Sequence, residues 1–293
     1  MRQQAVTAAL AVAARAGIRS TAPSVLHDGS NTLVHLQPAP VVARVATTTG
    51  TVRPGGGWLA RELTVAGSLA ATGAPVVPPT DLLPPGPHEE DGLAISFWRY
   101  VPTVAAPVDL APAGRALRLC HDLLAARGPA VPADGPIEEA CRLAVRLCAR
   151  RPRIFTPDEA TVLGFWAARV PADLAATPLP RHTVHGDAHP GNVLHTARGP
   201  LWNDWEDCFH GPPGWDLACS QANARVFGHA PAEAASLLAG YGRVALDPVH
   251  LDLLVDARVL QAAVWGTILS DRRGQRRSPA VTAALAWLRA RRG

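Results

Sequence analysis

The chain contains no lysine: all 28 of its basic residues are arginine. That absence excludes a phosphate loop of the GxxxxGK[ST] type, which needs its lysine, and any Schiff-base lysine. With 24 acidic residues against those arginines, the formal net charge is only +4. Electrostatic binding of nucleic acid needs a clustered basic face rather than a scattered surplus, so no nucleic-acid partner is expected. Long apolar runs are missing too. No stretch reaches the roughly 18 uncharged apolar residues of a membrane span, and the expectation is a soluble chain with no membrane partner. The five cysteines form no CxxC and are odd in number. They read as small buried hydrophobes in a reducing, cytoplasmic compartment, not as a disulfide framework. Glycine (25) and proline (28) together stay under a fifth of the 293 residues, below the roughly 25–30% of low-complexity chains.

What is present suits two domains or one large two-lobed one, at roughly 150 residues per domain. The opening apolar run Ala5–Ala14 has the look of a signal peptide. Arg15 and Arg19 follow at once, however, and Ala8, Val12 and Ile18 fit a short amphipathic helix, which is the reading adopted. Three short β-like runs come next, at residues 24–27, 32–36 and 41–45, separated by Asp28-Gly29-Ser30-Asn31 and Pro38-Ala39-Pro40. Trp58–Ala71 carries the apolar stripe of a helix, and Leu93–Val101 is the last strand of this half. From Pro112 onward the pattern turns helical, with stripes near 136–150, 158–169, 231–242, 248–271 and 279–291. One polar interval, 181–217, interrupts them with His185, His189, His195 and His210, four Asp and turn-forming Gly and Pro. Irregular polar segments on a scaffold are where chemistry concentrates.

Inside that interval stands His185-Gly186-Asp187-Ala188-His189-Pro190-Gly191-Asn192, and twelve residues beyond the Asn comes Asp204, in Asn203-Asp204-Trp205-Glu206. Asp, Asn at plus five, and a second Asp after a short hairpin is the order in which kinase active sites place a base and two metal ligands. A tight loop aims base and ligand to one side, and runs 193–195 and 201–203 can pair to return the second carboxylate. Mg²⁺ is a hard ion that takes few ligands from protein, which suits one amide and one carboxylate oxygen.

On these residues the chain resembles the aminoglycoside phosphotransferase family, kinase-like small-molecule phosphotransferases with an HGDxxxxN loop and a following D-W-E segment. Gly211-Pro212 and Trp215-Asp216-Leu217-Ala218 extend the likeness. The resemblance implies an α+β, bilobal protein-kinase-like fold: a small antiparallel-sheet lobe over 1–101 that binds nucleotide, and a mainly helical lobe over 102–293 with catalytic loop, metal site and acceptor pocket. It implies Asp187 as catalytic base, Asn192 and Asp204 as Mg²⁺ ligands, and His185 and Asp216 as supports of the loop. It places Ser30 and Asn31 over the phosphates of ATP or GTP, Arg44 at the third-strand position where such kinases carry Lys, Glu62 as its ion-pair partner, and Trp98 and Tyr100 at the adenine. The activity implied is transfer of the γ-phosphoryl group to a hydroxylated small molecule.

Other readings of the same residues remain open. His185, Asp187 and His189 could be a zinc-binding run of a hydrolase, and a chain that keeps the cleft without turnover would be a nucleotide-binding pseudokinase. Glu206 and Asp207, beside the metal residue, are candidates for acceptor contact. Asp252 and Asp256, four apart on a helix, fit either a solvated face or the acidic wall of an acceptor pocket. His121 reads as a hydrogen-bonded core histidine.

Overall fold

The computed structural model describes residues 1–105, 107, 109–133, 135–150, 155–244, 246–272 and 274–292. The chain divides into two compact units, Met1–Ala106 with Val193–Glu206, and Pro107–Asn192 with Asp207–Gly293. A cut between residues 101 and 102 leaves the hairpin of residues 193–202 in the second half; the structure instead builds it into the first unit. The reason is backbone pairing. Val77 N–H donates to the Trp202 carbonyl and Trp202 N–H to that of Pro75, both at 2.9 Å, while Val104 N–H donates to His195 at 2.8 Å.

The first unit begins with α1 (Arg2–Arg15), the helix expected in place of a signal peptide. Strands β1 (Ser24–Asp28), β2 (Thr32–His35) and β3 (Val41–Val45) follow, then a short helix α2 (Thr48–Val52), α3 (Gly57–Ala71), β4 (His88–Glu90) and β5 (Leu93–Arg99). The strands form one antiparallel sheet in the order β1-β2-β3-β5-β4. Because side chains alternate along a strand, Val34, Val41, Ala43, Val45, Ile95 and Phe97 share one face. That face is buried under Ala5, Ala8, Ala9, Val12 and Ala13 of α1, whose short side chains keep the helix close to the sheet. The opposite face carries a row of a different kind, in which Leu33, Arg44 and Ser96 stand in register across β2, β3 and β5. The remaining piece is the hairpin, Val193–Thr196 paired antiparallel with Gly199–Trp202.

The second unit is helical: α4 (Ala111–Arg127), α5 (Pro136–Arg150), α6 (Pro157–Ala175), α7 (Gly214–Arg225), α8 (Pro231–Tyr241), α9 (Pro248–Arg272) and α10 (Pro279–Ala290). Its one small sheet pairs His182–Val184 with Phe209–Gly211. Start signals are legible in the structure: Thr156 and Glu159 form a reciprocal capping box at α6, and Ser278 caps α10. Helix α7 is not visible in the hydrophobic pattern, because Gly214–Ser220 is buried all round and so shows no stripe. Among the described residues α9 is the one helix long and apolar enough to cross a membrane by length and composition. It is the central helix of this unit, with Leu254, Val255, Val259, Leu260, Ala263 and Val264 buried, and it packs on α5, α6, α7 and α10.

Helices α4 and α8 approach so closely that a Cβ at Gly240 would stand 1.9 Å from the Ala111 carbonyl oxygen. Backbone cannot yield there as a side-chain tip can. Gly240→Ala is therefore expected to destabilise by about 1–3 kcal/mol, the usual cost of overpacking, read as a lowered denaturation midpoint at unchanged m-value.

Candidate active site

Within the second unit, residues 185–192 form a loop pinned from below by Asp216 on α7. One Asp216 oxygen accepts the backbone N–H of His185 at 2.7 Å and the other that of Gly186 at 2.8 Å. The first also contacts His121 Nε2 at 2.8 Å, and His121 Nδ1 meets the Tyr241 hydroxyl at 2.7 Å. His121, His185 and Asp216 are all at most 1% exposed. His121 thus occupies the core position expected of it, and the loop rests on a fully buried polar network. Trp215 adds a bond from its indole N–H to the Gly186 carbonyl at 2.7 Å. Gly186 itself is required: its φ is +89°, and a Cβ would lie 2.0 Å from the Asp207 carbonyl oxygen.

Removing the Asp216 carboxylate leaves two backbone donors and a histidine without their acceptor in a dry interior. Asp216→Ala is expected to cost at least about 1–3 kcal/mol for each buried group left unsatisfied, measured by chemical denaturation.

This support raises Asp187 at the loop's end with its side chain partly exposed, at 23%. Asn192 donates its amide N–H₂ to the Asp187 carbonyl at 2.9 Å and to the Asp187 carboxylate at 3.2 Å. The donor end of Asn192 is thereby directed at Asp187. Arg258 Nη2 from α9 lies 2.6 Å from Asp187 Oδ1, and His189 Nε2 lies 3.5 Å from Oδ2. Burial disfavours the charged carboxylate, but Arg258 and then His189 outweigh it and hold Asp187 well below the usual carboxylate range. The ionised form is thereby favoured over the protonated acid.

Within the first unit a second cluster forms around Arg44. Its guanidinium bonds Glu62 on α3 at 3.1 Å, Asp204 at 2.6 Å and Glu206 at 2.5 Å. Asn31 also donates to Glu206, at 3.0 Å, and Arg53 approaches it at 3.9 Å. Glu62 is fully buried. Burial, reinforced by Asp204 and Glu206 and only partly offset by Arg44, raises the Glu62 pKa. For Arg44 burial opposes the charge, yet Asp204, Glu62 and Glu206 together keep it firmly protonated. Three carboxyl groups converge on the one guanidinium. Asp204 adopts φ +67°, a left-handed conformation uncommon for a side-chain-bearing residue.

A partly exposed carboxylate oxygen and an amide oxygen are the hard donors Mg²⁺ prefers, and Asp204 in the first unit and Asn192 in the second each carry one. The zinc alternative is not supported. His185 spends Nδ1 on the Asp187 N–H at 3.2 Å, and the Asp187 carboxylate faces Arg258. Among the described residues, no three His, Cys, Asp or Glu side chains gather as metal ligands.

The remaining expected residues fall as follows. Ser30 contributes its carbonyl, which accepts the Thr48 and Thr49 N–H groups at 2.9 and 3.1 Å and so ties the β1–β2 loop to α2. Trp98 is buried and donates its indole N–H to Ser96 at 2.9 Å, and Tyr100 stacks face to face on His35 at 3.7 Å. Glu206 is taken up by Arg44 and Asn31 in the first unit, while Asp207 belongs to the second. Asp252 and Asp256 do not form an acidic wall. Asp252 pairs with Arg225 at 2.8 Å and with Arg291 at 3.3 Å, and Asp256 accepts from Trp287 at 2.7 Å and Arg291 at 2.8 Å. Their spacing aims both at the facing helices α7 and α10, which they stitch to α9.

Arg258 and Gln261 went unnoticed in the sequence. The signal was an arginine set inside the apolar run Leu253–Val264; a charge in a buried stripe needs a partner.

The model of the phosphotransferase enzyme family matches residues 57–252. No curated protein matches the chain by sequence. Among solved structures, amicoumacin kinase hAmiN in complex with AMP-PNP, Ca²⁺ and Ami is 16% identical, with TM-score 0.72, over 96% of this chain and 92% of that one. Choline kinase LicA from Streptococcus pneumoniae is 13% identical, with TM-score 0.69, over 96% of each. The GDP and kanamycin complex of APH(2")-IIia is 16% identical, with TM-score 0.63, over 93% of each. At these identities the likeness is one of fold, and the kinase-like architecture expected from the loop motif is the one observed.

Proposed function

The chain belongs to the phosphotransferase enzyme family, and from that premise we propose that it moves the γ-phosphoryl group of ATP or GTP to a hydroxyl of a small molecule, in the cytoplasm and with Mg²⁺. The observation that carries this reading is the Asp187 loop: an ionised, partly exposed carboxylate on a backbone clamped at both His185 and Gly186 by buried Asp216. Asp187 accepts the proton of the attacking hydroxyl, and the clamp keeps it from drifting as the substrate arrives. Asn192 and Asp204 would supply oxygen ligands to Mg²⁺, which when bound would contribute charge neutralisation at the phosphates. Arg44 adds a fixed positive charge for the nucleotide phosphates, held in place by Glu62. Little covalent chemistry is asked of the protein, since positioning and electrostatics carry most phosphoryl transfer.

The neighbours bracket the unknowns. One was solved with AMP-PNP and Ca²⁺, another with GDP and kanamycin, and a third is a choline kinase. Both nucleotides and several acceptor chemistries therefore belong in the test. Purified protein is offered ATP or GTP with Mg²⁺ and a panel of hydroxylated antibiotics, sugars and choline-like metabolites, scored by nucleotide consumption and product mass. Phosphorylated product supports the transferase. Metal-dependent nucleotide binding with no consumption against any acceptor or water points instead to a pseudokinase.

Asp204 offers a sharper check. Asp204→Asn keeps the shape and tolerates the left-handed backbone but removes the charge. It is expected to abolish metal-dependent nucleotide binding in a folded protein, as titration of nucleotide with and without Mg²⁺ would reveal. Undiminished binding would remove Asp204 from the metal site.

A further inference from the structure

We propose that Arg258 is the positioning residue for Asp187, setting the orientation of the base from helix α9. The proposal rests on the reading of Asp187 as the proton acceptor. The terminal torsion of an aspartate is broad and roughly two-fold, so the Asp187 carboxylate turns unless something holds it. Asn192 reaches one oxygen at 3.2 Å, a long bond. Arg258 reaches the other as a close ion pair at 2.6 Å.

Arg258 is itself held. Its Nη1 donates to Gln261 Oε1 at 2.5 Å, one turn along the same helix, and Gln261 is only 3% exposed. The guanidinium thus has one nitrogen fixed to α9 and another on the carboxylate, and its planar fork transmits the geometry of a buried helix to the loop. Titratable groups near the pair come from several elements: His185 and His189 on the loop, Asp207 after the hairpin, and Asp216 and Cys219 on α7. None of them lies nearer to an Asp187 oxygen than Arg258 among the contacts described.

Stability alone is a poor account of this pair. A buried ion pair is often no more stabilising than apolar residues of the same volume, and Asp187 keeps nearly a quarter of its side chain exposed. A base needs to be presented in one orientation; a structural pair does not.

The assay is Mg²⁺-dependent consumption of ATP or GTP, with water and with the best acceptor from the panel above. Arg258→Gln is expected to lower kcat about 10²-fold, the typical result of misplacing a reacting group by an ångström, with nucleotide Kd unchanged. On an Asp187→Asn background the same substitution should cause no further loss, because its effect passes through Asp187. Guanidinium added to Arg258→Ala should restore part of the lost turnover, which a purely structural role would not allow. Wild-type kcat in Arg258→Gln, with Asp187→Asn inactive, overturns this proposal and leaves the base intact. A further loss on the Asp187→Asn background overturns it too. An active Asp187→Asn overturns the base, and a wild-type chain that consumes neither nucleotide overturns the transferase reading, each taking the proposal with it. If Arg258→Gln does not fold, Arg258→Lys decides: a lowered kcat at unchanged nucleotide Kd supports the fork, and wild-type kcat refutes it.

Discussion

Asp187→Asn is expected to lower kcat by roughly 10²–10⁴-fold, the range general-base catalysis is typically worth, while nucleotide affinity stays within a few-fold of wild type. The substitution is nearly isosteric, and the loop does not depend on the carboxylate. The backbone is held by Asp216 and Trp215, and the Asn192 bond to the Asp187 carbonyl survives the change. What disappears is the carboxylate proposed as proton acceptor. Arg258 would then face a neutral amide, so some loss of stability is expected alongside, and the two effects separate by measuring kcat and the melting midpoint on one preparation. Turnover near wild type would sink the assignment, since no other ionised carboxylate is presented by this loop.

Arg44→Ala should have the largest effect on stability. Arg44 is 5% exposed and Glu62 fully buried, and removing one partner of a buried pair typically costs about 3–5 kcal/mol because the other charge is left unpaired. Here Glu62, Asp204 and Glu206 would also face one another without the guanidinium between them. Nucleotide affinity should fall as well. Adding Glu62→Gln to Arg44→Ala should recover part of the lost stability, giving a clear non-additivity in the double-mutant cycle. Arg44→Lys should fail to restore either property fully, because one ammonium cannot span Glu62, Asp204 and Glu206 as a fork does. An unchanged melting midpoint in Arg44→Ala would contradict the buried cluster itself.

The two experiments probe different levels of legibility. The Asp187 loop could be found in the sequence because its chemistry is local: base, turn and amide fall within six residues, and the hairpin that follows is written in short alternating runs. The helices of the second unit were legible where one face meets solvent, as in 136–150 and 279–291, since a stripe appears only when a helix has two kinds of surroundings. The strands β1–β3 and α3 were legible for the same reason, bounded by Gly, Pro and Asp turns.

Whatever depends on which buried group meets which lay beyond the sequence. Helix α7, buried all round, left no periodic trace. The short helix α2, Thr48–Val52, is rich in β-branched threonine and has its first turn tied down by the Ser30 carbonyl, a contact across eighteen residues that no local propensity encodes. Glu206, Asp252 and Asp256 looked available for an acceptor as isolated carboxylates, yet each found an arginine in three dimensions. Arg258 is the converse case, a charge within an apolar helix whose partner lies 71 residues earlier in the chain. The local pattern of side chains determined most of the elements and the Asp187 loop of this protein. Tertiary packing alone decided how its charges pair, because a desolvated charge is settled by whatever opposite charge the fold brings within reach, regardless of separation along the chain.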